Sequence, residues 1–99
     1  MEEDLLVWLQ GWYERHCDGE WEHAHGVSVE SLDNPGWLVK ISLAGTELED
    51  RPFRDKLLEI DGRHWAVCKV RDCIFEGAGG PRNLRDILQV FRAWCEGEV

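Results

Sequence analysis

Cations are scarce in this sequence. Eleven Lys and Arg stand against twenty Asp and Glu, a formal charge of −9. Without surplus cations a protein has little with which to displace the counterions of a phosphate backbone, so nucleic-acid binding is excluded. No apolar run comes near the roughly 18 to 20 residues that cross a membrane, and Met1-Glu2-Glu3-Asp4 lacks the basic start of a secretory signal. A cytoplasmic protein without a membrane partner is expected. Cys17, Cys68, Cys73 and Cys95 form no Cys-x-x-Cys pair, and in that compartment they read as reduced thiols. Internal repeats and low-complexity tracts are also missing.

What is present is enough for one domain spanning residues 1–99, which at this length buries roughly 60 to 65% of the surface of its unfolded chain. Six Trp, three Phe and one Tyr supply much of that core, since each packed aromatic buries on the order of 150 to 250 Å². Leu5, Leu6, Trp8, Leu9, Trp12 and Tyr13 recur at helical spacing, with Glu2, Glu3 and Asp4 at the positive end of the helix dipole. This predicts a helix of about four turns closing near Cys17-Asp18-Gly19. Period-two alternation over residues 26–32 and 37–43, around Asp33-Asn34-Pro35-Gly36, predicts a β-hairpin. Residues 45–52 read as an acidic loop. A second hairpin is expected over 53–60 and 64–70 about Asp61-Gly62, with a last short strand at 73–77. Gly77-Ala78-Gly79-Gly80-Pro81 then breaks the sheet, Pro81 suits a first helical turn, and Leu84, Ile87, Leu88, Phe91 and Trp94 mark the apolar face of a helix ended by Gly97. The fold class is α+β: a single antiparallel sheet of about five strands flanked by an N-terminal and a C-terminal helix on one face.

Three constellations invite chemistry. His16, Cys17, His23 and His25 fall within ten residues, and imidazole with thiolate is a set that zinc accepts, yet their spacing matches no zinc motif. No metal and no cofactor are expected. No Cys carries a local nucleophile signature, so no catalytic residue is assigned. Gly77-x-Gly79-Gly80-Pro81 resembles a phosphate cradle but lacks the Gly-Lys-Ser/Thr ending, and Pro81 removes a donor.

Charge placement says more. Residues 1–39 hold nine acidic side chains and one basic, Arg15, a balance of −8, whereas residues 40–99 come to −1. Such asymmetry steers a basic partner toward one side of a protein. The acid crowds around an aromatic ring and a glycine in Asp18, Gly19, Glu20, Trp21, Glu22 and His23, a composition suited to a binding loop. Asp33 and Trp37 of the neighbouring turn are candidates to join it.

Several strings carry a family pattern: Trp8-Leu9, Trp12-Tyr13, Cys17-Asp18-Gly19, Trp21-Glu22-His23, Gly26-Val27, Leu32-Asp33-Asn34-Pro35-Gly36-Trp37, Gly45-Thr46, Phe75-Glu76-Gly77, Gly79-Gly80-Pro81 and Asn83-Leu84. Through them the sequence resembles the immunity protein 53 family of bacterial polymorphic toxin systems nearly end to end, with little of the pattern in residues 51–70. The resemblance implies an intracellular antidote that binds a cognate protein toxin and has no enzyme activity of its own. A basic, nuclease-type toxin fits the acidic half, and a monomer is the expected state. Two rivals stand beside this reading. One is a small metal- or thiol-dependent enzyme built on His16, Cys17, His23 and His25; the other is a structural subunit of a larger complex, which would show an apolar patch instead of an acidic one.

Overall fold

Asp4 starts the first helix, its carboxylate accepting the backbone N–H groups of Leu6 at 2.8 Å and Val7 at 3.3 Å, two of the donors that a helix start leaves without a partner. This cap belongs to a computed structural model that describes residues 4–97; Glu2 and Glu3, expected at the same helix end, lie outside the described residues. Helix α1 runs Leu5–His16. A four-residue helix α2, Trp21–Ala24, follows it, then strands β1 (Val27–Leu32), β2 (Gly36–Ser42), β3 (Lys56–Asp61), β4 (His64–Arg71) and β5 (Ile74–Gly79), and helix α3 (Leu84–Cys95).

The five strands form one antiparallel sheet in the order β1-β2-β5-β4-β3. The last strand in sequence therefore lies in the middle, and β1 and β3 are the edges. Alternation decides which side is covered. Val39 and Ile41 of β2, Phe75 of β5, and Ala66 and Cys68 of β4 point to one face and are buried. Against them pack Leu5 and Trp12 of α1 and Ile87, Leu88, Phe91 and Trp94 of α3. Each buried Val, Leu, Ile or Phe among them stabilises the fold by roughly 1.5 to 3 kcal/mol relative to exposure. Both helices thus lie on one face, as expected. Among the described residues no helix is long and apolar enough to cross a membrane.

Four expectations need correction. The glycine run does not break the sheet at residue 77: β5 continues to Gly79. A Cβ on Gly77 would collide with Ile87 Cγ2, and one on Gly79 would meet the Trp65 carbonyl at 2.9 Å, so these residues let α3 settle onto the central strand. Pro81 precedes the helix instead of entering it. The start is Asn83, only 5% exposed, whose side chain accepts the Trp65 N–H at 3.1 Å and donates to Asp86 at 2.7 Å. β3 begins at Lys56, not Phe53, because the Phe53 ring leaves the strand direction to pack edge-on against Phe75 and Trp94. Finally, the acidic loop is also core: Leu48 is fully buried, and Arg51 donates to the Trp94 and Cys95 carbonyls at the end of α3.

Candidate functional site

Residues 18–23 form a turn and the short helix α2, held by their own acid. Asp18 Oδ1 accepts the backbone N–H groups of Glu20 and Trp21, both at 2.9 Å. In return the Glu22 carboxylate accepts those of Asp18 and Gly19, also at 2.9 Å. Gly19 has φ 95°, a conformation that costs glycine little. These hydrogen bonds favour the ionised forms. The Trp21 and Glu20 N–H groups hold the Asp18 carboxyl below its ordinary value, and Glu22 is lowered by its own N–H together with those of Asp18 and Gly19.

The Trp21 ring turns inward. Only 7% of Trp21 is exposed, its Nε1 donates to the Ala44 carbonyl at 2.8 Å, and the rings of Trp12, Tyr13, His16 and His25 lie within 6.2 Å. It anchors the turn to the core and leaves Glu20 and His23 exposed beside the outward edge of Asp18. A shallow depression of about 360 Å³ next to α2 is lined by His16, Asp18, Glu20, Trp21 and His25.

Asp33 and Trp37 are not brought to this cluster. Val27 pairs with Ile41 and Leu32 with Gly36, so the Asp33 turn lies at the far end of the first hairpin, roughly 17 Å away by strand rise. Trp37 is half-buried there, donating from Nε1 to the Pro81 carbonyl at 3.0 Å.

Three of the four possible metal ligands have separate side-chain hydrogen-bond partners, and among the described residues the fourth has none. His16 places Nδ1 2.8 Å from the Trp12 carbonyl and Nε2 2.7 Å from Glu47 Oε2. Cys17 Sγ donates to the Tyr13 carbonyl, His25 Nδ1 faces Ser42 Oγ at 3.0 Å, and His23 points to solvent. Among the described residues no three His, Cys, Asp or Glu side chains are grouped to hold a metal ion. Nor is a reactive thiol evident at Cys68 or Cys95, where burial pushes each thiol up to about 12.

Glu47 is a neighbour of this cluster that sequence reasoning missed. It accepts the Trp12 indole N–H at 3.1 Å as well as His16. Burial pushes its carboxyl up, but its own N–H, His16 and Trp12 outweigh that and leave it lowered. Glu47 is 31 residues from His16, and no local spacing announces the pair.

Residues 6–96 fit the family model described as Immunity protein 53. No curated protein and no solved structure gives a match.

Proposed function

Because the chain belongs to the Immunity protein 53 family, we propose that it is a toxin-neutralising protein that acts by binding a cognate bacterial toxin, one with a basic surface of the nuclease type. The supporting observation is the exposed acid about α2. Asp18 and Glu20 face solvent with Glu22 half-buried behind them, and residues 16–39 contain no Lys or Arg. A nuclease needs a cationic surface for its phosphate substrate, and a carboxylate cluster offers that surface a competing partner. Close charge pairs across an interface of this kind have coupling energies of roughly 1.5 to 7 kcal/mol. The depression beside α2 has the size and lining to receive one Lys or Arg side chain. No residue is assigned to catalysis, and the protein works without a cofactor.

Glu20 is the residue to test, because its carboxylate takes no part in the hydrogen bonds that hold the turn, whereas those of Asp18 and Glu22 do. Mixing the protein with the toxin encoded by the adjoining gene should give a stable complex and abolish the toxin's activity. Glu20→Lys should weaken that complex about tenfold or more, since a like charge directly opposite a basic group costs at least ~1.4 kcal/mol. No complex with the toxin would overturn the reading, and parental affinity for Glu20→Lys would remove α2 from the interface.

A further inference from the structure

The two edges of the sheet are built differently. Edge strands commonly carry a lysine, a proline or a bulge that keeps other strands from pairing with them. β3 has a lysine, Lys56, and a register shift between Glu59 and Asp61. β1 has no such guard: Val27–Leu32 contains no Lys, Arg or Pro and pairs with β2 in unbroken register. In an antiparallel pair, alternate residues bond to the neighbouring strand and those between them point away from it. The Ser42 N–H donates to the Gly26 carbonyl at 2.9 Å, which places Gly26, Ser28, Glu30 and Leu32 among the bonded residues. Val27, Val29 and Ser31 therefore turn both N–H and C=O outward, and these groups have no partner among the described residues. Such a row is what an added strand recognises.

The side chains of β1 determine what kind of strand fits. Glu30 lies on the face of the sheet away from the helices, opposite Leu38 of β2. It is exposed, and among the described residues it makes no ion pair. Val29 points to the helix side, opposite the buried Val39, and is 44% exposed because no strand lies beyond it. The acidic turn of Asp18, Glu20 and Glu22 precedes β1 and Asp33 follows it, with no Lys or Arg in residues 16–39. Lys40 stands on β2 opposite Ser28, so β1 itself lies between it and the edge. We propose that β1 accepts an added strand from the partner protein, an extended segment with Lys or Arg beside Glu30 and an apolar side chain beside Val29. This rests on the toxin-binding reading above and names the element and the form of the contact. Two copies joined at β1 fit poorly, because each would bring Glu30, Asp33 and the acidic turn to the seam, like charge against like.

Amide hydrogen exchange reads these backbone groups one by one. In the free protein the Val29 and Ser31 amides should exchange fast, and those of Ser28 and Glu30, bonded to β2, slowly. With the toxin of the adjoining gene bound, Val27, Val29 and Ser31 should slow about tenfold or more. Val29→Pro removes an outward N–H without touching the β2 ladder, and should weaken the complex about tenfold or more. Should that variant unfold, Glu30→Lys, which gives β1 the lysine of a guarded edge, should weaken binding in the same direction. If the toxin binds and the three amides exchange as fast as in the free protein, the β1 proposal fails while toxin binding stands. A folded Val29→Pro that binds with parental affinity overturns it as well. If the toxin does not bind the parent, both readings fall together. A dimer in sedimentation whose three amides are protected without toxin would give the edge to a second copy and overturn the proposal.

Discussion

Trp21 shows what a residue can and cannot reveal through its neighbours in sequence. Acid on both sides and a nearby glycine make it look like an exposed anchor, yet the ring is buried and its N–H meets a carbonyl 23 residues away. Three other indoles, of Trp12, Trp37 and Trp94, also donate to groups distant in sequence, as buried indole N–H groups must. Truncating Trp21 should therefore read out in stability: Trp21→Ala should cost roughly 3 to 5 kcal/mol in urea unfolding. A variant as stable as the parent would mean that the ring is dispensable to the core and is free to serve a partner. The acidic members of the same turn were legible as a cluster from composition. Their division into hydrogen-bonded Asp18 and Glu22 and free Glu20 was not, because it depends on the path of the turn.

At the scale of elements, periodicity located both long helices and the first hairpin, and turn residues such as Asp61-Gly62 placed the other three strands, β3 three residues too early. It failed where a residue's reason lies in another element. Four small residues from Gly77 to Gly80 read locally as a breaker, whereas what requires the glycines lies elsewhere: Ile87 of α3 against Gly77, the Trp65 carbonyl and Ile87 against Gly79, and the Arg63 carbonyl against Gly80. A methyl group added at Gly77 must displace Ile87 from a close-packed core. Gly77→Ala should therefore destabilise the protein by about 1 to 3 kcal/mol, and chemical denaturation would show it; parental stability would mean that α3 stands off the sheet. The strand order was equally hidden, since nothing in the β5 residues alone says that they pair with β2 as well as β4. α2, at four residues, is too short for a periodic signal.

For the molecule as a whole, the acid does two jobs. Part of it holds the fold: Asp18, Glu22, Glu47 and Asp61 all have lowered pKa values. A carboxyl whose folded value lies below its unfolded one stabilises in full above the unfolded value and loses that contribution as pH falls through the folded one. The urea midpoint should thus be level near neutrality and fall on acidification below the ordinary values of 3.8 for Asp and 4.5 for Glu; a midpoint that rises there would contradict these assignments. The second job belongs to net charge: residues 1–39 hold a balance of −8 because Arg15 is their one cation, and that is the charge a basic toxin would feel before contact. The most direct test of that claim is the association rate with the cognate toxin, measured from low salt to about 0.5 M. Steering by opposite charge is screened over a Debye length of roughly 10 Å at 0.1 M salt, so the rate should fall steeply as salt rises while the dissociation rate changes little. An association rate that does not respond to salt would contradict the account.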